Sequence, residues 1–366
     1  MITTTLLNQI TLGRTGKNQG YSMGMPKLES IIDGVTGATS TLIFAPSGVG
    51  KTSIALYSYI YRPAMEHLTD GKFKVIYYSL EMSADKLFGK LLSMYIFEKY
   101  GKELSTKELL SRKRGYVLSD EDYQIVQECK PWLEQLEKVI TVYDKNLNAQ
   151  VLYSTLMKEL EQVGSFQEEG KRKVYIPNDP SVITLVIIDH MALLRPSDGR
   201  TLKQEIDLAS SYLVSLRERC KISPVLIMQA NRDASSMDRR KEGMTTMTLN
   251  DVKDSGGPVQ DSEIVISLFS PFREKLSTYR GYDIKQLESR FRVVSVLKNR
   301  YGEGDIEIGC AFYGKPCIFA ELPRPDEIYD YGKYETSDWL RDKTEEEDDQ
   351  IENLDDSNKK TFKFTL

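Results

Sequence analysis

Short apolar runs recur along the chain with helical patterns between them. Residues 41–44, 73–79, 139–143, 182–188, 224–228, 264–269 and 291–297 are rich in β-branched and aromatic side chains and predict strands. The run at 182–188 is almost continuously apolar, which suits a strand buried on both faces of a parallel sheet. Helical spacing appears after residue 52, then at Leu87, Leu91, Leu92 and Ile96 with Ser83 as a candidate N-cap. It returns at Val151, Leu152, Leu156 and Leu160, and over 202–220. Residues 97–137 are charged and helical in pattern, and 164–180 mix charge, Gly and Pro as a surface excursion would. Residues 306–308 and 317–319 predict an antiparallel pair about the turn Tyr313-Gly314-Lys315-Pro316. The fold class expected is α/β, with a central, mostly parallel sheet flanked by helices.

The ends differ from the middle. Residues 1–25 are polar apart from Leu6, Leu7, Ile10 and Leu12, and read either as a loose terminus or as an arm that packs on a neighbouring subunit. Beyond Pro323 the periodicity dissolves. The expected division is an arm at 1–25, one domain at 26–322 and an acidic, disordered tail at 323–366. The net charge of −5 over 366 residues conceals this division. From Asp326 onward fourteen Asp/Glu face six Lys/Arg, so the rest of the chain is mildly basic, which is compatible with nucleic acid. The final stretch, 359–366, alternates basic and aromatic residues and is either a docking peptide or a loose end. Four scattered cysteines and two histidines form no disulfide framework or metal cluster. No apolar run reaches membrane-spanning length and no leader is evident, so a cytoplasmic setting is expected.

The chemistry concentrates where strands end. Ala45-Pro46-Ser47-Gly48-Val49-Gly50-Lys51-Thr52, followed by Ser53, lies between the strand at 41–44 and a helix. That is the P-loop arrangement: a loop of small residues whose N–H groups wrap a phosphate at a helix N-terminus. Lys51 would reach the β- and γ-phosphates of ATP or another nucleoside triphosphate, and the Thr52 hydroxyl would hold Mg²⁺. Ala45 stands where Gly is usual. Glu81 follows the strand at 73–79, at the sheet edge where ligands bind, and is a candidate for polarising an attacking water; alone, it reads more readily as a solvated acid. Asp189 closes the most apolar strand, the Walker B position beside Mg²⁺, and His190 next to it reads as a packed residue. Gln229 ends the strand at 224–228 and could sense the γ-phosphate. Arg239, Arg240 and Lys241 mark a basic loop, while Lys253, Asp254 and Gly256 occupy a stretch with adjacent glycines where a backbone can approach a nucleic-acid phosphate.

Six segments, in order, resemble the motor domain of DnaB-type replicative helicases over roughly residues 20–322. They are the P-loop, in which that family commonly has Ala first; Tyr78-Ser79-Leu80-Glu81-Met82-Ser83; Ile187-Ile188-Asp189-His190; Gln229-Ala230-Asn231-Arg232; Val252-Lys253-Asp254-Ser255-Gly256 with Gln260-Asp261-Ser262-Glu263; and Lys298-Asn299-Arg300. The resemblance implies a RecA-like P-loop NTPase that moves 5′→3′ on single-stranded DNA as a homo-hexamer. It implies Glu81 as catalytic base, Thr52 and Asp189 at Mg²⁺, and Gln229 coupling phosphate state to DNA loops. It also implies Lys298 and Arg300 acting in trans on the next subunit, and Lys253, Asp254 and Gly256 at the DNA backbone. A primase, a loader or a single-strand-binding protein is a candidate partner, primase interaction being the role of the N-terminal domain in the family. About twenty residues precede the resemblance, so the family's helical N-terminal domain is not expected, as in trimmed phage-type relatives. Two alternatives are a RecA-type recombinase forming filaments on DNA and a nucleotide-dependent loading protein without unwinding activity.

Overall fold

The computed structural model describes residues 2–16, 18–144, 147–170, 172–197, 199–231 and 246–340. In chain order its strands are β1 (Thr41–Ala45), β2 (Phe73–Ser79), β3 (Ile140–Tyr143), β4 (Gly164–Glu169), β5 (Arg172–Pro177), β6 (Ile183–Asp189), β7 (Ser223–Gln229), β8 (Ile264–Phe269), β9 (Thr278–Tyr279), β10 (Tyr282–Asp283), β11 (Phe291–Asn299), β12 (Ile306–Tyr313) and β13 (Ile318–Glu321). Nine of them form one sheet in the order β13-β12-β11-β8-β1-β7-β6-β2-β3. From β8 to β3 the pairing is parallel, and β11, β12 and β13 add an antiparallel flank. The expected fold class is the one observed.

Strand alternation sends successive residues to opposite faces, and here it separates two cores. Ile43, Val75, Tyr77, Leu185, Ile187 and Ile227 pack on one face with Ile54, Ile60, Leu87, Leu91 and Trp132. Leu42, Phe44, Ile76, Tyr78, Val186, Ile188 and Leu226 pack on the other with Leu152, Leu156, Leu213 and Leu216. Burial on both faces is why these strands read as continuous apolar runs.

Several helices match their sequence signals. The helix at Leu202–Cys220 starts with a capping box, Thr201 with Gln204, and ends at Lys221 in the left-handed region (φ 59°). The helix at Ala84–Tyr100 begins after Ser83, but the Ser83 hydroxyl turns to Asp85 and does not cap it.

The structure adds detail at three places. Residues 164–180 contain an antiparallel hairpin, β4 with β5, pinned by Tyr175 Oη donating to Leu160 O at 3.1 Å. Within the presumed arm, Ile2–Gly13 is helical and leaves Leu6, Leu7, Ile10 and Leu12 exposed. The tail was expected to begin at 323, yet Ile328, Tyr334 and Trp339 are buried in the second core, and Tyr313 Oη donates to Tyr334 O at 3.0 Å. Large aromatics bury their area without helical or strand periodicity, so a periodicity search ended the domain too early. Residues 341–366 lie outside the described residues.

If residues 324–340 belong to the folded body, Trp339→Ala should cost about 3–5 kcal/mol. The check is the urea unfolding midpoint, and a shift indistinguishable from zero would place this segment outside the core.

Candidate nucleotide site

Register brings the site together. Ala45 pairs with Gln229, Ile227 with Asp189, and Asp189 with Ser79, so the C-terminal ends of β1, β7, β6 and β2 finish along one line. Two main-chain bonds extend that line: Ala230 N–H donates to Ala45 O at 3.0 Å, and Leu80 N–H to Asp189 O at 2.7 Å. The strand order reverses about β1, with β8 on one side and β7 on the other, which is where open α/β sheets bind ligands.

The loop after β1 turns at Gly48 (φ 73°) and Gly50 (φ 120°), where any side chain would be strained. A Cβ on Gly48 would fall 2.8 Å from Arg273 Nη2, and one on Gly50 would fall 3.1 Å from Phe319 Cζ. The helix then begins at Lys51 with Gly50 at its N-cap and no side chain capping it. Residues 51–53 are buried, and Lys90 Nζ approaches Ser53 Oγ at 3.4 Å.

Lys51 Nζ lies 3.9 Å from Glu81 Oε2, which is also 4.0 Å from His190 Nε2. The Glu81 side chain remains 48% exposed while that of Lys51 is 8% exposed, so the carboxylate faces solvent at the mouth of the loop. Asp189 is fully buried. Tyr77 Oη donates to its Oδ2 at 2.9 Å, and its Oδ1 has no hydrogen-bond partner among the described residues. Burial raises the Asp189 pKa, opposed by the Thr52 and Tyr77 hydroxyls. Burial, then Lys51, lowers that of His190 and favours a neutral imidazole. A buried carboxylate beside the Thr52 hydroxyl, with one oxygen unpartnered among the described residues, fits a hard divalent cation that takes one carboxylate plus phosphate oxygens. Thr52 and Asp189 are therefore the residues that would hold Mg²⁺. No group of three or more His, Cys, Asp or Glu suited to a metal occurs among the described residues.

The other expected residues divide into two groups. Gln229 joins the site, and its carbonyl accepts from Lys253 N–H at 2.9 Å, which ties the segment from Lys253 to the same edge. Asp254 (φ 74°) carries a buried Oδ2 without a partner among the described residues, while a Cβ on Gly256 would meet open space. Lys298 and Arg300 lie elsewhere. Because β11 runs antiparallel, Asn299 pairs with Ile264, which pairs with Thr41 at the start of β1. That places them one strand length, about 13 Å, from the phosphate loop of their own chain. Lys298 Nζ donates to Val259 O (2.9 Å) and Gln260 O (3.0 Å), and Arg300 is exposed. Arg239, Arg240 and Lys241 lie outside the described residues.

Residues 20–321 match the family described as the DnaB-like helicase C terminal domain. The chain belongs to this family. The replicative DNA helicase DnaB of Helicobacter pylori is 26% identical over 297 residues, covering 81% of this chain and 50% of that protein. A probable replicative DNA helicase of Trieres chinensis is 23% identical over 254 residues, covering 68% and 47%. The chain thus spans about half the length of the curated relatives it matches. A solved ATPase domain superposes with a TM-score of 0.66 at 17% identity, covering 88% of this chain and 99% of that one. A DnaB-like replicative helicase solved for its interactions with primase gives 0.62 at 18%, covering 83% and 64%. These likenesses agree on a RecA-like ATPase fold.

In this DnaB-like domain the sequence reading missed Arg273 and Arg292, whose guanidinium groups touch the phosphate loop from outside it. A charged residue at the second position of the apolar strand at 291–299 was the available signal.

The raised pKa of Asp189 has a sign. A carboxyl that holds its proton more tightly folded than unfolded supplies stability at low pH and loses it as pH rises through the folded value. Asp189→Asn should therefore lose the fall in stability that the parent shows as pH rises, without nucleotide or Mg²⁺. Adding Mg²⁺ with nucleotide should stabilise the parent more than the variant. Thermal melts across pH 5–8, with and without both ligands, check this.

Proposed function

We propose that the chain is an ATP-driven, ring-forming translocase on single-stranded DNA, a replicative helicase of DnaB type. The observation that carries this reading is the Lys253 N–H to Gln229 O bond at the edge shared with Lys51, Asp189 and Glu81. A change at the phosphates felt by Gln229 passes directly into the backbone of Lys253 and Asp254.

The residues divide the work. N–H groups of 47–52 and the Lys51 ammonium bind the phosphates and neutralise charge on the oxygens. When bound, Mg²⁺ supplies further neutralisation of the β- and γ-phosphates, held by Thr52 and Asp189. Glu81 is the base: its exposed carboxylate orients a water and accepts its proton at Oε. The neutral imidazole of His190 packs beside Glu81 without adding a second positive charge.

Lys298 and Arg300 lie across the sheet from their own phosphate loop, so a cation from that edge can serve only a neighbouring copy. The proposed active sites lie between subunits of a homo-hexamer, with Arg300 as the finger and the exposed apolar helix at Ile2–Gly13 as an arm onto the neighbour. Lys253, Asp254 and Gly256 contact DNA through its backbone, which gives little sequence preference and strong salt dependence. Movement is 5′→3′, in a bacterial or phage-infected cell. No helix among the described residues is long and apolar enough to cross a membrane. A primase, a loader and a single-strand-binding protein are the proposed partners.

ATP hydrolysis with and without single-stranded DNA, with particles imaged in the same samples, tests this. Stimulation by DNA together with closed rings is expected; continuous filaments would favour a recombinase instead. Glu81→Gln should retain nucleotide binding and lose about 10²–10⁴-fold in kcat. Mixing Glu81→Gln with Arg300→Ala subunits should recover part of the hydrolysis, because some interfaces then pair an intact base with an intact finger. Absence of recovery at every ratio would refute action in trans.

A further inference from the structure

The phosphate loop is held from behind. Arg273, in the turn after β8, donates from Nη1 to Ser47 O, and Arg292, at the second position of β11, donates from Nε to Val49 O at 2.6 Å. Arg292 is only 6% exposed, and it is the one charged residue among the buried positions of its strand. Its Nη1 donates to Ser289 O (2.6 Å) and Phe291 O (2.8 Å) and approaches Ser270 Oγ at 3.4 Å, and its Cζ lies 5.3 Å from the Phe312 ring centroid. Every one of these partners is neutral, and no carboxylate pairs with Arg292 among the described residues. Burial, and then the like charge of Arg273, lowers its pKa to about 10. A buried cation without a counter-ion is costly.

We propose that Arg292 and Arg273 are positioning residues for the nucleotide. They hold the Ser47 and Val49 carbonyls away from the cradle and thereby aim the Gly48 and Gly50 N–H groups into it. The inference rests on reading the loop as a triphosphate site and adds the residues that set its shape. A planar peptide links each carbonyl to the next N–H, so fixing C=O of 47 and 49 fixes N–H of 48 and 50. A bond accepted by the carbonyl also polarises that N–H and makes it a better donor. The buried Arg292 guanidinium adds attraction through a poorly screened interior, and the triphosphate supplies the anion that Arg292 lacks. Gly48 fits the arrangement, since a side chain there would strike Arg273.

The test compares binding of a fluorescent ATP analogue and steady-state hydrolysis in the parent, Lys51→Ala, Arg292→Met, Arg292→Lys and Arg273→Gln. Arg292→Met should raise Kd and KM about tenfold with kcat falling less than threefold, because a phosphate cradle binds ground state and transition state alike. Arg292→Lys should restore part of the affinity by returning one charged donor. Arg273→Gln should raise KM about threefold, and since Arg273 is exposed this variant carries the test if Arg292→Met does not fold. A lower melting temperature with Kd and KM unchanged in the folded variants would make Arg292 a strut of the fold and overturn the proposal. Equal nucleotide binding by the parent and Lys51→Ala would overturn the triphosphate reading itself, and the proposal with it.

Discussion

A loop can turn several N–H groups toward one point only if the attached carbonyls are held elsewhere. That constraint shapes the surroundings of residues 45–52. Ala45 O is taken by Ala230 N–H, Ser47 O by Arg273 and Val49 O by Arg292, so three of the loop's carbonyls are bound outside it. Glycine at 48 and 50 permits the turns, and Phe312 and Phe319, stacked at 4.5 Å, close the space beneath Gly50. The antiparallel flank of the sheet thus does more than lengthen it: β11, β12 and β13 bring Arg292, Phe312 and Phe319 to the back of a loop that sits on the parallel half.

Buried acids away from the loop are answered. Glu159 meets Lys74 and Tyr143, Glu263 meets Arg217 and Tyr301, and Glu205 accepts from Ala149 N–H and Ser197. At the site, Asp189 Oδ1, His190 Nδ1 and Asp254 Oδ2 are buried with no partner among the described residues. A polar group without a partner is expensive, so their gathering around the ends of β6 and β7 marks a place built to receive something. The same cost makes a site poised for a cation and phosphates a local weakness of the free domain.

The sheet also separates tasks by edge. Phosphate chemistry occupies the C-terminal ends of the parallel strands, while the antiparallel course of β11 carries Lys298 and Arg300 to the opposite edge. In the proposed assembly this spacing makes each site depend on a neighbour, and the Gln229–Lys253 bond makes the DNA-facing segment depend on the site.

How much was legible follows from where each signal resides. Strands buried on both faces announce themselves as apolar runs, so β1, β2, β6, β7 and β8 were readable within a residue or two, as was the helix at Leu202–Cys220. That Lys51, Thr52, Glu81, Asp189 and Gln229 lie along one edge was readable because each sits at a fixed offset from a strand end, and strand ends of a parallel sheet share an edge. The β4–β5 hairpin and the packing of Trp339 were not, because their stability comes from contacts with distant parts of the chain and leaves no local period. Local order along the sequence therefore determined the fold class, the phosphate loop and the edge where chemistry occurs. Only the tertiary structure decided that Arg292 reaches Val49, 243 positions away, and that Lys298 and Arg300 face away from their own loop. Strand order and direction in the sheet are long-range choices, and they set which side chains meet.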